Sequence, residues 1–382
     1  MIVRRSDGPG AGGGKGKARP VASWRHQYGV SYFASVQPPL SFTRPPVTRL
    51  HATVPTTSYL DALRQLASIP TAPLLDAPSP LQELTSLRHA LGGGPTLLVK
   101  RDDAIPFGFG GNKVRKLAYA VAPAVAAHAD TLVTVGGIQS NHARVTAATA
   151  AHLGLRCLIL ANGQRPDRLT GNALLNDLLG AEIEYIPSRD ARGPAMRAAS
   201  ERLRKAGRAP FEIPLGASTP LGALGFVQAI AELLTQGPAP DVIVHACSSG
   251  GTQAGLVAGC TLYGLHTRVI GVSADDPASS IQAHIYSIVA GIGTMLGLDG
   301  AAFADVGPIT VDDTFIGEGY GIPSPASHEA QRLAAHTEAL FVDHTYTAKA
   351  LGALITWVRA GRFKESETVL FWHTGGQASL FA

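Results

Sequence analysis

Lys113 is the residue whose chemistry is easiest to name. It follows two glycines in Phe109-Gly110-Gly111-Asn112-Lys113-Val114-Arg115-Lys116, just past the strand-like run Thr96 to Lys100. Downstream, Gly136-Gly137-Ile138-Gln139-Ser140-Asn141-His142 follows a second strand-like run, Thr131 to Val135. Both polar turns precede helical patterns, so free backbone N–H groups can point at a small anion. A lysine there can act as a point charge or as an amine nucleophile toward a carbonyl. The plainer alternative is a solvent lysine at a helix start, which the helix dipole mildly disfavours. A third turn, Ser248-Ser249-Gly250-Gly251-Thr252, joins the strand-like Val242 to Ala246 to the helical Gln253 to Cys260. Small residues there let backbone approach a phosphate while N–H groups and hydroxyls donate, and an ordinary tight turn is the alternative. No Gly-Lys-Ser/Thr follows, so this is not a Walker A loop.

From about Leu60 to the C-terminus these motifs, in this order, resemble the pyridoxal-phosphate (PLP) lyase family that groups D-cysteine desulfhydrase with 1-aminocyclopropane-1-carboxylate (ACC) deaminase. The resemblance implies that Lys113 forms the Schiff base with PLP and later serves as the base at Cα. It makes Lys116, on the same helix face, a phosphate contact, and Ser248, Ser249, Gly250, Gly251 and Thr252 the phosphate loop. Asn141 would hydrogen-bond the ring hydroxyl. Gln139 and Ser140, with the N–H groups of their turn, would hold the substrate carboxylate, Ser140 being also a candidate proton relay. His142 stands where the desulfhydrases carry histidine, with packing and capping of a helix start as its alternative role. Tyr320, in Gly319-Tyr320-Gly321-Ile322-Pro323, would face the ring, and Tyr346 would be a second active-site tyrosine; core packing is the alternative for both. Arg115 is expected in a surface or interdomain ion pair.

Two positions separate the branches. ACC deaminases carry Glu after the second tyrosine and Leu in a terminal His-Leu-Gly-Gly; here those positions are Thr347 and Thr374. A threonine hydroxyl can hydrogen-bond the pyridine nitrogen without protonating it, leaving a modest electron sink that suits expulsion of a thiolate. The chain departs from the desulfhydrase pattern at His344, Thr345 and Ala348, where Pro, Val and Gly are usual, and along Ser273 to Ala283. His344 could accept a more anionic substrate such as cysteate, or could lie at the surface. The implied activity is α,β-elimination from a small amino acid, foremost D-cysteine, giving pyruvate, sulfide and ammonia, by a homodimer. L-cysteate sulfo-lyase, another β-substituted alanine lyase or racemase, ACC deaminase and a PLP-binding protein without turnover are the rivals. A nucleotide-dependent enzyme would need an acidic partner, for which Asp275-Asp276 is the candidate.

The elements must position these turns. At 382 residues, with 45% hydrophobic and 16% charged residues, the chain has a globular composition and length for two lobes. Short strands are expected at Thr131 to Val135, Arg156 to Leu160, Ile183 to Ile186, Val242 to Ala246, Val269 to Val272 and Val369 to Trp372. Helical patterns at Arg144 to Leu153, Gly171 to Leu179, Pro194 to Ala206, Leu224 to Leu234 and Ser327 to His336 alternate with them, three closed by Gly154, Gly180 and Gly207. That alternation predicts open α/β architecture with mostly parallel strands. The resemblance refines this to the two-lobed tryptophan synthase beta-like fold, with helices flanking the sheets and a smaller lobe (residues 116–219) inserted in a larger PLP-binding one (residues 53–115 and 220–382).

The net charge of +4 is uneven: the first 50 residues hold eight Lys/Arg and Asp7, leaving 24 bases and 27 acids for the rest. The body is mildly acidic and offers no case for nucleic acid. No run of eighteen apolar residues suggests a membrane span. Cys157, Cys247 and Cys260 lack metal-ligand spacing and fit free thiols in a reducing compartment such as the cytoplasm. Residues 1–52 read as a tail, either a bland extension or, being rich in Arg and Ser, an organelle transit peptide.

Overall fold

The computed structural model describes residues 57–382, so the expected tail falls outside the described residues. The strands are β1 (Leu81–Glu83), β2 (Thr96–Arg101), β3 (Thr131–Gly137), β4 (Arg156–Asn162), β5 (Glu182–Ile186), β6 (Pro210–Ile213), β7 (Val242–Cys247), β8 (Arg268–Ser273), β9 (Thr310–Asp312) and β10 (Thr368–His373). The helices are α1 (Thr57–Ser68), α2 (Thr85–Ala90), α3 (Asn112–Ala120), α4 (Ala122–Ala126), α5 (Asn141–His152), α6 (Gly171–Leu178), α7 (Arg192–Lys205), α8 (Pro220–Gln236), α9 (Gly251–Leu262), α10 (Ala278–Met295), α11 (Gly300–Phe303), α12 (Pro325–Glu338) and α13 (Thr347–Arg359).

All six strands expected from the pattern form, and Gly154, Gly180 and Gly207 sit at positive φ just past α5, α6 and α7. Two sheets result. A six-stranded sheet runs β1-β2-β10-β7-β8-β9, parallel except for the edge pair β1 and β2. A four-stranded sheet, β5-β4-β3-β6, is wholly parallel, and its strands lie in sequence between β2 and β7. The small sheet is thus an insertion into the large one. The expected boundary at residue 116 falls within α3, whose residues pack both on α8 and on α5.

Parallel strands buried on both faces read as continuous apolar runs, as these do. Val242, Val244 and Phe371 join a core with α12 and α13, while Ile243, Leu370 and Trp372 face the residues of α8 and α9. Likewise Leu132 and Ile159 pack toward α3 and α5, and Val133, Val135, Leu158 and Leu160 toward α7. Backbones approach closely where glycine allows it. A Cβ on Gly225 of α8 would lie 2.1 Å from the Arg115 carbonyl oxygen, so α3 rests directly on α8 and fixes the start of the Lys113 helix.

Cys157, Cys247 and Cys260 are all buried free thiols. Among the described residues no helix is long and apolar enough to cross a membrane.

Candidate functional site

The carboxyl ends of the parallel strands converge on one cavity. It is lined by Asn112 and Lys113, by Gly137, Ser140, Asn141 and His142 after β3, by Ser248, Ser249, Gly250 and Thr252 after β7, by Tyr320 and Tyr346, and by Thr374 after β10. In open α/β sheets ligands bind at such strand ends, where neighbouring connections diverge. Most of the expected residues therefore meet, although they come from six separate stretches of chain.

Lys113 lies in the first turn of α3, its Nζ donating to Asn112 Oδ1 at 3.0 Å. Burial disfavours the ammonium and brings its pKa from 10.5 to about 8, Cys247 opposing and Arg144 adding to the shift. The turn before it is pinned from α5: buried Arg144 donates to the carbonyls of Gly108 and, at 3.0 Å, Gly110. Asn112 N–H donates to the Thr374 carbonyl at 3.0 Å, tying this turn to the one after β10.

Ser140 caps α5, its Oγ accepting from Ala143 N–H at 3.2 Å. A Cβ on Gly136 would sit 2.7 Å from that oxygen, so the glycine makes room for the cap. Asn141 Oδ1 accepts from Asn172 Nδ2 at 2.8 Å, which turns the Asn141 amide NH2 toward other partners. His142 is buried, its Nε2 2.8 Å from Thr134 Oγ1. Since that hydroxyl donates to the Ile213 carbonyl, Nε2 carries the proton and Nδ1 is a buried acceptor with no protein partner. Burial, then Lys113 and Lys116, hold its pKa well below the ordinary value, so the ring is neutral.

After β7, Gly250 takes the left-handed conformation and opens α9. Ser249 Oγ lies 2.7 Å from Ser218 Oγ, which accepts from Lys116 Nζ at 2.8 Å. Lys116 is buried and, among the described residues, makes no ion pair with a carboxylate; burial and then Lys113 lower its pKa well below 10.5. On the far side the hydroxyls of Tyr320 and Tyr346 hydrogen-bond each other, their rings edge to face at 5.7 Å. Burial raises the pKa of both, most strongly for Tyr346.

Four expected residues do not reach the cavity wall. The Lys116 side chain stands behind the turn after β7 rather than in the cavity, and a Cβ on Gly251 would lie 2.8 Å from its Nζ, so Gly251 offers backbone only. Gln139 turns away, accepting from Asn172 N–H at 2.8 Å and donating to the Thr170 carbonyl. Thr347 is fully buried in the first turn of α13, where its hydroxyl donates to Asp343 Oδ1 at 2.7 Å and accepts from the Asp343 N–H. Its hydroxyl is taken up by that cap, so Thr374 is the threonine that faces the cavity. The departures from the desulfhydrase pattern also lie off the wall: Ala348 packs in the core, and His344 and Thr345 are not lining residues. Arg115 is not at the surface but buried, between Asp102 and Glu232.

The Gly-Gly-Asn-Lys turn, the β3 turn and the β7 cradle occupying one cavity decide the kinship, and a family model agrees: the pyridoxal-phosphate dependent enzyme model matches residues 73–375. The chain belongs to the pyridoxal-phosphate dependent enzyme family. Within that family it is 37% identical over 330 residues to D-cysteine desulfhydrase of Salmonella typhi and to that of Salmonella choleraesuis, covering 84% of this chain and 98% of each relative. A solved ACC deaminase homologue superposes with a TM-score of 0.77 at 31% identity, covering 84% of this chain and 96% of the other. The processed form of threonine deaminase isoform 2 from Solanum lycopersicum shares the fold, with a TM-score of 0.60 at 15% identity, covering 87% of this chain and 95% of the other.

As an enzyme of the family the protein uses PLP, and the cavity suits it. A buried lysine Nζ that donates to a hydroxyl, behind a cradle of small residues at a helix start, stands where a phosphate group would give it an anionic partner. Sequence reading missed Arg144, Asn162, Asn172, Arg189, Arg192 and Ser218, all in or beside the cavity. None stands in a motif; only their distant hydrogen-bond partners give them away.

Proposed function

We propose that the protein is a carbon–sulfur lyase that converts D-cysteine to pyruvate, sulfide and ammonia by α,β-elimination. One observation carries this reading: the cavity gathers Lys113 and three anion-binding turns, yet none of its lining residues is a carboxylate. A carboxylate at the pyridine nitrogen would keep it protonated; Thr374 can only hydrogen-bond it. That favours elimination of a good leaving group over opening of a cyclopropane ring. The relatives named D-cysteine desulfhydrase support the choice of substrate.

The turn from Ser248 to Thr252, backed by Lys116 and Ser218, would hold the phosphate, Asn141 the ring hydroxyl and Lys113 the aldehyde carbon. Bound PLP supplies the sink for the electron pair left at Cα. Lys113 Nζ takes the Cα proton, for which an amine with pKa about 8 is better matched than one at 10.5. Ser140 and the amides opening α5 hold the carboxylate, which sets the Cα–H bond for removal. The Cβ–S bond breaks with its electron pair on sulfur, and the Tyr320–Tyr346 hydroxyl pair stands ready to supply a proton. Water then converts the released aminoacrylate to pyruvate and ammonia.

The test is pyruvate release by holoenzyme from D-cysteine, L-cysteine, L-cysteate, β-chloro-D-alanine and ACC, with Lys113→Ala alongside. D-cysteine should be the best substrate and the variant inactive. Pyruvate from cysteate alone, or ketobutyrate from ACC, would overturn the assignment.

A further inference from the structure

Two guanidiniums that no motif announced stand in the cavity wall. Arg189 and Arg192 line it together with Asn162. Arg189 is balanced in charge: its Nη2 donates to Asp275 Oδ2 at 2.8 Å, Asp276 lies at 3.8 Å, and the cation sits 6.0 Å from the Tyr320 ring centre. Asp275 and Asp276 are thereby committed to Arg189, with Ser248 Oγ also on Asp275, rather than to a ribose. Arg192 differs. Its Nε donates to Asn162 Oδ1 at 2.8 Å, and its Nη2 reaches the same oxygen. Among the described residues no carboxylate is within ion-pair distance of it. Burial and then the like charge of Arg189 lower its pKa, against a weaker upward pull from Tyr320, Tyr346 and Asp275.

The position of Arg192 fits a substrate side chain. Asn162 ends β4 opposite Gly137 of β3, so the guanidinium it holds stands beside the turn we assign to the α-carboxylate. It shares the cavity lining with Tyr320 and Tyr346. The phosphate cradle belongs to the other sheet, after β7.

We propose that Arg192, aimed by Asn162, is a specificity residue that receives a negatively charged β-substituent of the amino-acid substrate, whether the thiolate of cysteine or an oxyanion such as a sulfonate. This deepens the lyase reading and rests on it for the placement of the α-carboxylate. It also moves anion recognition from His344, which lies off the wall, to Arg192. In the elimination the Cβ–S electron pair departs on sulfur, and the guanidinium would stand where that charge grows.

An isosteric pair isolates the charge. Binding of aspartate and of asparagine, both enantiomers, to holoenzyme is measured by calorimetry in the parent, Arg192→Gln, Arg192→Lys and Asn162→Asp. The parent should prefer aspartate. In Arg192→Gln that preference should fall about 10- to 100-fold, the scale of one charged hydrogen bond. Arg192→Lys should restore part of it, and Asn162→Asp, which supplies the missing counter-charge, should lose it with the arginine still present. Equal binding of the pair by the parent overturns the proposal. So does an equal loss for both ligands, which would place the α-carboxylate on Arg192. Because nothing need turn over, the result is independent of the pyruvate assay: no pyruvate from D-cysteine with the aspartate preference intact would sink the lyase reading alone.

Discussion

The amine of Lys113 reacts with an aldehyde only when neutral, and burial brings its pKa down to about 8, so that a useful fraction is neutral near physiological pH. The expected consequence is a pH profile. Uptake of PLP by apoenzyme, followed by its absorbance, should quicken as pH rises toward about 8 and be nearly flat above. An exposed lysine would keep gaining up to 10.5, its ordinary value. A rate that still climbs severalfold between pH 9 and 10 would refute the burial argument, and Lys113→Ala should show no covalent uptake at all. A second expectation concerns Asn172, whose amide serves both the Gln139 carbonyl, at 2.9 Å, and Asn141 Oδ1. Asn172→Leu would free the Asn141 amide to rotate and leave buried acceptors unmet. PLP should then bind about tenfold more weakly, the worth of about one hydrogen bond, as read by equilibrium dialysis. That Lys113, Ser140 and Asn141 share one cavity is legible in the sequence because each stands in a compact motif. Thr347 was misread because its neighbour Asp343 takes the hydroxyl, a choice that depends on how the loop closes and not on the motif.

At the scale of elements, the cavity is a set of turns that touch one another. Gly375, at φ +91°, would place a Cβ 2.6 Å from Gly111 Cα, so the turn after β10 and the turn before α3 meet backbone to backbone. Gly375→Ala forces both a strained conformation and a clash. It should cost about 1–3 kcal/mol of stability and weaken PLP binding, because the displaced partner is the Lys113 turn. Ala348→Gly, the return to the family pattern, should act differently. Ala348 is in the first turn of α13 and packed in the core, so the change should cost about 1 kcal/mol in urea unfolding and leave the order of substrates unaltered. A changed substrate order would mean that the departure reaches the cavity after all. Buried parallel strands and glycine-closed helices were legible because one period and one terminator specify each. Helix α10 was not legible for a physical reason: Gly291 and Gly293 blur its pattern. They are there for contact, since a Cβ on Gly291 would lie 2.3 Å from Pro220 Cγ and one on Gly293 would lie 2.8 Å from Phe303 Cβ.

Across the whole molecule, one buried ionic cluster ties the six-stranded sheet and α8 to the helix that carries Lys113. Arg115 of α3 donates to both oxygens of Asp102, at 2.9 and 3.0 Å, and to both of Glu232 on α8, at 2.8 and 2.9 Å. Asp102 also accepts from Trp372 of β10 at 2.8 Å, and Lys100 of β2 donates to Glu232. Strand, helix and sheet centre are thereby tied through one guanidinium. Burial alone would push the Glu232 carboxyl up, but Arg115 and Lys100 outweigh it and hold it below 4.5. Lys100 itself lies below its ordinary value because burial outweighs the pull of Glu232, so Arg115 is the cation that secures the cluster. Arg115→Met removes the fork and leaves buried Asp102 without a cation and Glu232 with Lys100 alone, which should cost about 3–5 kcal/mol at neutral pH. The sign of the pH dependence follows. In the parent, the depressed Glu232 adds stability that is full above its unfolded value of 4.5 and is lost as pH falls through its lower folded value. The variant keeps only the share of that contribution that Lys100 supplies. The gap between the two proteins in urea unfolding should therefore be widest above pH 5 and should narrow on acidification. A gap that stays constant down to pH 3 would mean that Arg115 stabilises by packing its stem rather than by its charge.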